Sequence, residues 1–215
     1  MVVAATELEV GPTLERYAPE KKRWGYGKGP LSLWITGVGA ANTALKTAFF
    51  AHIDDKADLW INVGIAGAYD AEAELGAVWE VVSERYGDVG AETSEGLSTA
   101  LELGFPLSSY PQDVFFNPRP HGLMRPGAGL TVQTCSGTEQ TIALRRIKFH
   151  CDLETMEGAA FFQSALWHGV DFWAFRAVSN YVAPRDVSAW KIRPAVQNLN
   201  EAMWRILEDE LTLRQ

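Results

Sequence analysis

Only two cysteines, Cys135 and Cys151, occur in 215 residues, and their spacing matches no metal-ligand pattern. So little thiol cannot build a disulfide framework, and such usage suits a reducing compartment, so a cytoplasmic protein is expected. The histidines (His52, His121, His150 and His168) form no HExxH-type pair, and no metal site is expected. No apolar run approaches the length that spans a bilayer. The opening Met1-Val2-Val3-Ala4-Ala5 has no charged n-region, so neither a membrane anchor nor a signal peptide is expected. Positive charge is in deficit: 19 Lys and Arg against 27 Asp and Glu leave a net charge of −8. A nucleic-acid binder normally shows a basic face, and this balance argues against one. An acidic substrate would need local cations. Internal repeats and low-complexity tracts are absent too.

What is present is an ordinary globular composition, 47% hydrophobic and 21% charged, sized for one compact domain over 1–215. Apolar runs alternate with helical patterns. Strands are expected at Met1 to Ala5, Leu31 to Thr36, Leu59 to Val63, Leu75 to Glu84, Leu130 to Thr134, Asp152 to Thr155 and Phe172 to Val178. Helices are expected from Glu9 to Arg16, Ala40 to His52, about Glu157 to His168, and Pro194 to Leu213, with a further helix after Ser136-Gly137-Thr138. Such alternation predicts an α/β three-layer sandwich, a mixed or mostly parallel sheet flanked by helices. The stretch from Arg85 to Pro126, rich in Gly, Pro and Ser, reads as long loops with one short helix, anchored by Phe105, Tyr110, Phe115 and Phe116. Arg145-Arg146 reads as a solvated helix face.

Two polar clusters close the apolar segments on either side of one helix, Met156-Glu157-Gly158 and Ser179-Asn180. In an open parallel sheet the carboxyl ends of strands form the rim where ligands bind, so the two clusters suggest one site. Gly37-Val38-Gly39-Ala40-Ala41-Asn42 follows a strand and opens a helix, but Asn42 replaces the third glycine of a dinucleotide fingerprint. It reads as a tight turn, and no cofactor is expected.

Met156-Glu157-Gly158-Ala159-Ala160 followed by Arg176-Ala177-Val178-Ser179-Asn180 resembles the nucleoside phosphorylase and nucleosidase superfamily. Ala5-Thr6-Glu7-Leu8-Glu9 and Asn62-Val63-Gly64-Ile65-Ala66-Gly67 resemble two further segments of it. The resemblance implies that fold, a homodimer or larger assembly, and a purine ribosyl compound as small-molecule substrate. It implies that Glu9 orients and deprotonates a water, and that Glu157 binds the ribose hydroxyls and stabilises positive charge growing on the ring. Met156 would pack on the sugar face, Gly64, Ile65, Ala66 and Gly67 would lie beneath base and sugar, and Gln140, Arg176, Ser179 and Tyr181 would complete the substrate contacts. For Glu7 the plain reading holds, an acid favoured by the helix N-terminus.

Members that phosphorolyse their substrates carry early-loop arginines. Here neither Thr6 to Val10 nor Gly37 to Thr43 holds a cation, and phosphate needs charge-assisted donors, so water is the expected nucleophile. Methylthioadenosine-type nucleosidases commonly have serine where Ile65 stands, and aspartate where Asn180 stands. An amide offers one acceptor and one donor face. Asn180 can accept from a protonated purine N7 while donating to a 6-oxo group, which complements hypoxanthine rather than adenine. Tyr181 to Arg193 sets Arg185, Lys191 and Arg193 beside Tyr181 and Trp190, a combination able to hold an aryl carboxylate. The first rival reading is another enzyme of the same fold, a methylthioadenosine/S-adenosylhomocysteine or aminodeoxyfutalosine nucleosidase or a phosphorylase; the second is a catalytically silent purine-binding protein. The second would need neither Glu9 nor Glu157.

Overall fold

The computed structural model describes residues 1–22, 25–53, 57–94, 96–105 and 113–213. Strand β1 (Val2–Ala4) is wholly buried and passes through Thr6 into helix α1 (Glu7–Tyr17). Thr6 accepts from the Glu9 N–H and the Glu9 carboxylate accepts from the Thr6 N–H. This Thr-x-x-Glu capping box is what starts the helix. A polar hairpin, β2 (Glu20–Lys22) and β3 (Gly25–Lys28), leads to β4 (Leu31–Ile35) and helix α2 (Ala40–Ile53). Next come the long β5 (Leu59–Ala68) and β6 (Val78–Tyr86), a separate hairpin of β7 (Gly90–Thr93) and β8 (Gly96–Thr99), and β9 (Phe115–Phe116). The chain ends with β10 (Arg125–Thr131), α3 (Glu139–Phe149), β11 (Leu153–Thr155), α4 (Gly158–His168), β12 (Asp171–Tyr181) and α5 (Ile192–Leu213).

The main sheet runs β11-β10-β6-β12-β5-β1-β4-β3-β2, with β9 beside β6. It is mixed: β12 lies parallel to β5 and antiparallel to β6. The far end of β5 also pairs antiparallel with β11, Glu154 opposite Gly67, so β5, β12, β6, β10 and β11 close a ring. On one face α4 brings Phe161, Phe162 and Ala165 against Trp60, Leu153 and Phe172. On the other, α1 and α5 pack Val10, Leu199, Met203 and Ile206 on Val63 and Phe175. Helices on both faces of a mixed sheet make the expected three-layer α/β sandwich. No described helix is long and apolar enough to cross a membrane.

Several local expectations need correction. The strand expected to end at Val63 continues as β5 through Gly64 to Gly67, where the glycines let side chains of α1 and β12 lie against the backbone. Ser179 and Asn180 likewise lie inside β12, at a bulge where Val178 pairs with Ala66 and Asn180 with Gly67. The segment 85–126 holds the β7–β8 hairpin and β9, and no helix among its described residues. Phe115 is buried there, Phe105 and Phe116 are exposed, and Tyr110 lies outside the described residues. The β2–β3 hairpin was not anticipated. Its run of Glu20, Lys21 and Lys22 is exposed throughout and carries no apolar alternation to read.

Candidate active site

At the mouth of the strand ring lies a cavity of about 400 Å³, walled by Glu9, Ile65, Met156, Glu157 and Asn180 among others. Four elements deliver these groups. The start of α1 supplies Glu9, whose Oε2 accepts from Thr6 N–H and Oγ1, both at 2.9 Å, and whose Oε1 accepts from the Ile65 N–H at 3.1 Å. Ile65 therefore serves through its backbone. Gly64 is glycine because a Cβ there would stand 2.9 Å from Glu9 Oε1. It makes room for the carboxylate and does not itself reach the cavity wall.

Glu157 occupies the position before α4, and its side chain caps no N–H of that helix. Its Oε1 instead accepts from the Gly39 N–H at 2.8 Å, across the turn where Gly37 and Gly39 adopt φ of 85° and 96°. Burial raises the Glu157 pKa above the usual carboxylate value; the Gly39 N–H and Arg176 lower it, and the charge of Glu9 raises it further. Two carboxylates thus face one cavity, with the proton affinity of Glu157 raised chiefly by burial.

The bulge in β12 adds an extra residue, and bulges re-aim side chains beside functional sites. Here it points Ser179 and Asn180 together: Ser179 Oγ donates to Asn180 Oδ1 at 2.8 Å and Asn180 Nδ2 donates to Tyr181 O at 3.0 Å. These contacts use one Oδ1 lone pair and one Nδ2 proton, leaving one of each for a ligand. Gly67 is required beneath: a Cβ there would lie 3.0 Å from Asn180 Nδ2. Tyr181 and Arg185 also line the cavity, with Arg185 over the Trp190 ring at 5.5 Å. Asp186 accepts from Ser188 N–H at 3.0 Å and so caps the 3-10 turn Val187–Ala189.

Besides Gly64, three sequence-derived contacts fall away from the wall. Gln140 sits exposed in the first turn of α3. The Lys191 side chain is exposed, and only its N–H reaches inward, donating to Ser179 O at 2.7 Å. Arg176 is 1% exposed and lies beneath the site, donating to Asn62 Oδ1 and Phe175 O. Its charge still lowers the pKa of Glu157.

The sequence reading missed Glu154 and Ser136, both on the cavity wall. Glu154 accepts from Ser136 N–H and Tyr69 O–H at 2.8 Å, and from Arg145 Nη1 at 3.4 Å. Arg145 is therefore no solvated residue: it is buried and holds Glu154 in place. Its neighbour Arg146 donates to Tyr69 O. The one legible sign was period-2 alternation, which turns Glu154 to the opposite face from Leu153 and Thr155.

Cys135, with its thiol pKa raised chiefly by burial, meets Met156 at 3.5 Å. Among the described lining residues Arg185 is the one cation, against Glu9, Glu154, Glu157 and Asp186. The arrangement can stabilise positive charge and position a water; it is poorly suited to a phosphate dianion.

The phosphorylase superfamily model matches residues 4–209. The chain is 35% identical to the futalosine hydrolase of Streptomyces coelicolor, over 81% of this chain and 77% of that one. It is 33% identical to the futalosine hydrolase of Thermus thermophilus, covering 98% and 96%. A mutant futalosine hydrolase of Helicobacter pylori superposes with a TM-score of 0.80 at 13% identity, 97% of each chain covered. With its sandwich fold and this glycine-bedded, carboxylate-lined cavity, the chain belongs to the phosphorylase superfamily, on the side of its futalosine hydrolases.

Proposed function

We propose that the protein cleaves the N-glycosidic bond of futalosine with water, releasing hypoxanthine and dehypoxanthine futalosine, a step the resemblance ties to menaquinone biosynthesis. The observation that carries this reading is the pairing of Glu9 and Glu157 across a cavity whose one described lining cation, Arg185, belongs to the loop after β12. Glu157 takes the ribose hydroxyls in the ground state and opposes the charge of the oxocarbenium-like transition state. Glu9 orients the water and takes its proton. Its carboxylate is already held by Thr6 and Ile65, so little reorganisation is needed. The remaining N–H and lone pair of Asn180 suit a 6-oxopurine protonated at N7, the proton arriving from solvent because an amide cannot give one. Arg185 on Trp190, with Tyr181 beside it, suits an aryl carboxylate at the other end of the substrate.

Family members are usually oligomers, and we extend that to this chain. Leu45, Phe49 and Ile53 on α2 and Trp167 on α4 are exposed, and such apolar residues are better covered than wet. The test of function is chromatography of the base released from futalosine, aminodeoxyfutalosine and methylthioadenosine, each with and without phosphate. Hypoxanthine from futalosine, at a rate indifferent to phosphate, is expected. Adenine release as the faster reaction, or a ribose-1-phosphate product, would replace this assignment by one of its relatives.

A further inference from the structure

Glu84, on β6, is a carboxyl that the reaction above does not use. It is 1% exposed, beneath the start of α4. The fold makes space for it deliberately: a Cβ on Gly129, directly opposite on β10, or on Gly158, first residue of α4, would fall inside the Glu84 carboxyl. Two threonines on the adjoining strands complete a ring of oxygens. Thr131 Oγ1 lies 2.9 Å from Glu84 Oε2, Thr155 Oγ1 lies 3.0 Å from Glu84 Oε1, and the two hydroxyls are 3.0 Å apart. The Ala159 N–H, in the first turn of α4, donates to Thr131 Oγ1 at 2.7 Å.

Counting protons decides the state of this ring. An ionised Glu84 uses both hydroxyl protons, one per oxygen, so the contact between the threonines holds no hydrogen and becomes an oxygen–oxygen repulsion. A protonated Glu84 supplies the third hydrogen. Glu84 then donates to Thr155, Thr155 to Thr131 and Thr131 back to Glu84, and every edge is a hydrogen bond.

We propose that Glu84 is a positioning residue that carries its proton in the working enzyme, closing this ring to hold the first turn of α4 and thereby Glu157. The proposal rests on the reading of Glu157 as the ribose-binding carboxylate. The charges around Glu84 pull in both directions. Arg176 on β12 and the α4 N-terminus favour the anion; Glu157 and burial favour the acid. Arg85 and Tyr86 flank it along β6, and Cys151 lies on the link before β11. Burial prevails, and the Glu84 pKa is pushed up to about 7, with Arg176 the largest opposing influence. Loss of the proton opens the ring and sets a second negative charge beside Glu157. Turnover then declines on the alkaline side.

The experiment is the pH profile of kcat/KM for wild type, Glu84→Gln and Glu84→Ala. An amide keeps one donor and one acceptor, so Glu84→Gln should hold to within about twofold of wild type near pH 6 and lack the alkaline limb, which in wild type falls about tenfold per pH unit beyond its midpoint. Glu84→Ala should lose about tenfold or more across the range, because the ring is gone. The same alkaline limb in folded Glu84→Gln, or a tenfold loss near pH 6, overturns the proposal. A readout without any Glu84 variant is carbon-13 NMR of glutamate δ-carboxyls in wild type and Glu157→Gln. One carboxyl protonated near pH 6 in both is expected, and full ionisation overturns the proposal. Because this spectrum needs no substrate, an ionised Glu84 in an enzyme that hydrolyses futalosine counts against the proposal alone, and a protonated Glu84 with futalosine untouched counts against the substrate alone.

Discussion

Glu9 caps the first turn of α1 and faces the cavity with the same carboxylate. Glutamine also completes a capping box but turns its NH2 toward the Ile65 N–H, so Glu9→Gln should cost about 1–3 kcal/mol of stability and keep substrate binding, while turnover falls about a hundredfold or more, the usual scale for removing a general base. Loss of stability with turnover retained would mean that Glu9 is only a cap. Asn180→Asp loses the donor to a 6-oxo group and gains an acceptor for a 6-amino group. At ~1–3 kcal/mol per unpaired buried group, kcat/KM should swing roughly ten- to hundredfold toward aminodeoxyfutalosine in a competition between the two. An unmoved ratio would show that Asn180 does not read the base.

In the proposed mechanism Glu157 is ionised to hold the ribose, and its pKa is raised. The acid limb of kcat/KM should therefore lie above the ordinary carboxylate range and disappear in Glu157→Gln. At this scale the sequence was most legible where a motif had a geometric reason. Met156-Glu157 sits where β11 turns into α4, whereas Gln140 rested on the resemblance and Lys191 on its charge beside aromatic residues, and both side chains are exposed. Glu84 was illegible, and Glu154 had only the alternation of β11 to mark it, because a glutamate in a strand looks solvated until its partners from distant strands are known.

The elements were read well wherever apolar residues recur with a clean period. Strands β1 and β4 and helices α1, α2 and α5 lie where that period put them, give or take a few residues, while β5 starts at Leu59 as expected but runs on to Ala68. Polar edge pieces such as β2, β3, β7 and β8 were missed, since backbone pairing and not side-chain burial makes them. Arg145 shows the same limit inside a helix: periodicity separates faces, but not a buried cation from a wet one. Its neighbours make a testable case. Arg145→Met should destabilise the protein by about 3–5 kcal/mol in denaturant unfolding, the scale for leaving a buried charge unpaired. Adding Glu154→Gln should recover much of that loss. No recovery would mean that Arg145 works through its other partners, Asp88 and the Thr134 carbonyl, or through packing rather than through Glu154. Gly158→Ala forces a methyl into the Glu84 carboxyl and should cost about 1–3 kcal/mol, as overpacking does.

For the molecule as a whole, Glu84 links stability to pH. Its folded pKa is raised, from 4.5 to about 7, so its contribution is complete below the unfolded value and is lost as pH rises through the folded one. Thermal unfolding of wild type should weaken across that window, and Glu84→Gln should show a flatter profile. The acid surplus across the chain and the single described lining cation support the same proposal as the carboxylate pair, a site that meets a cationic transition state and uses water. That claim is tested most directly by incubating the enzyme with futalosine in ¹⁸O-labelled water containing phosphate, then weighing the products. Hypoxanthine is expected together with a ribosyl product that has gained one ¹⁸O at the anomeric carbon and no phosphate; a phosphorylated product, or no cleavage of futalosine at all, would contradict hydrolysis at this site.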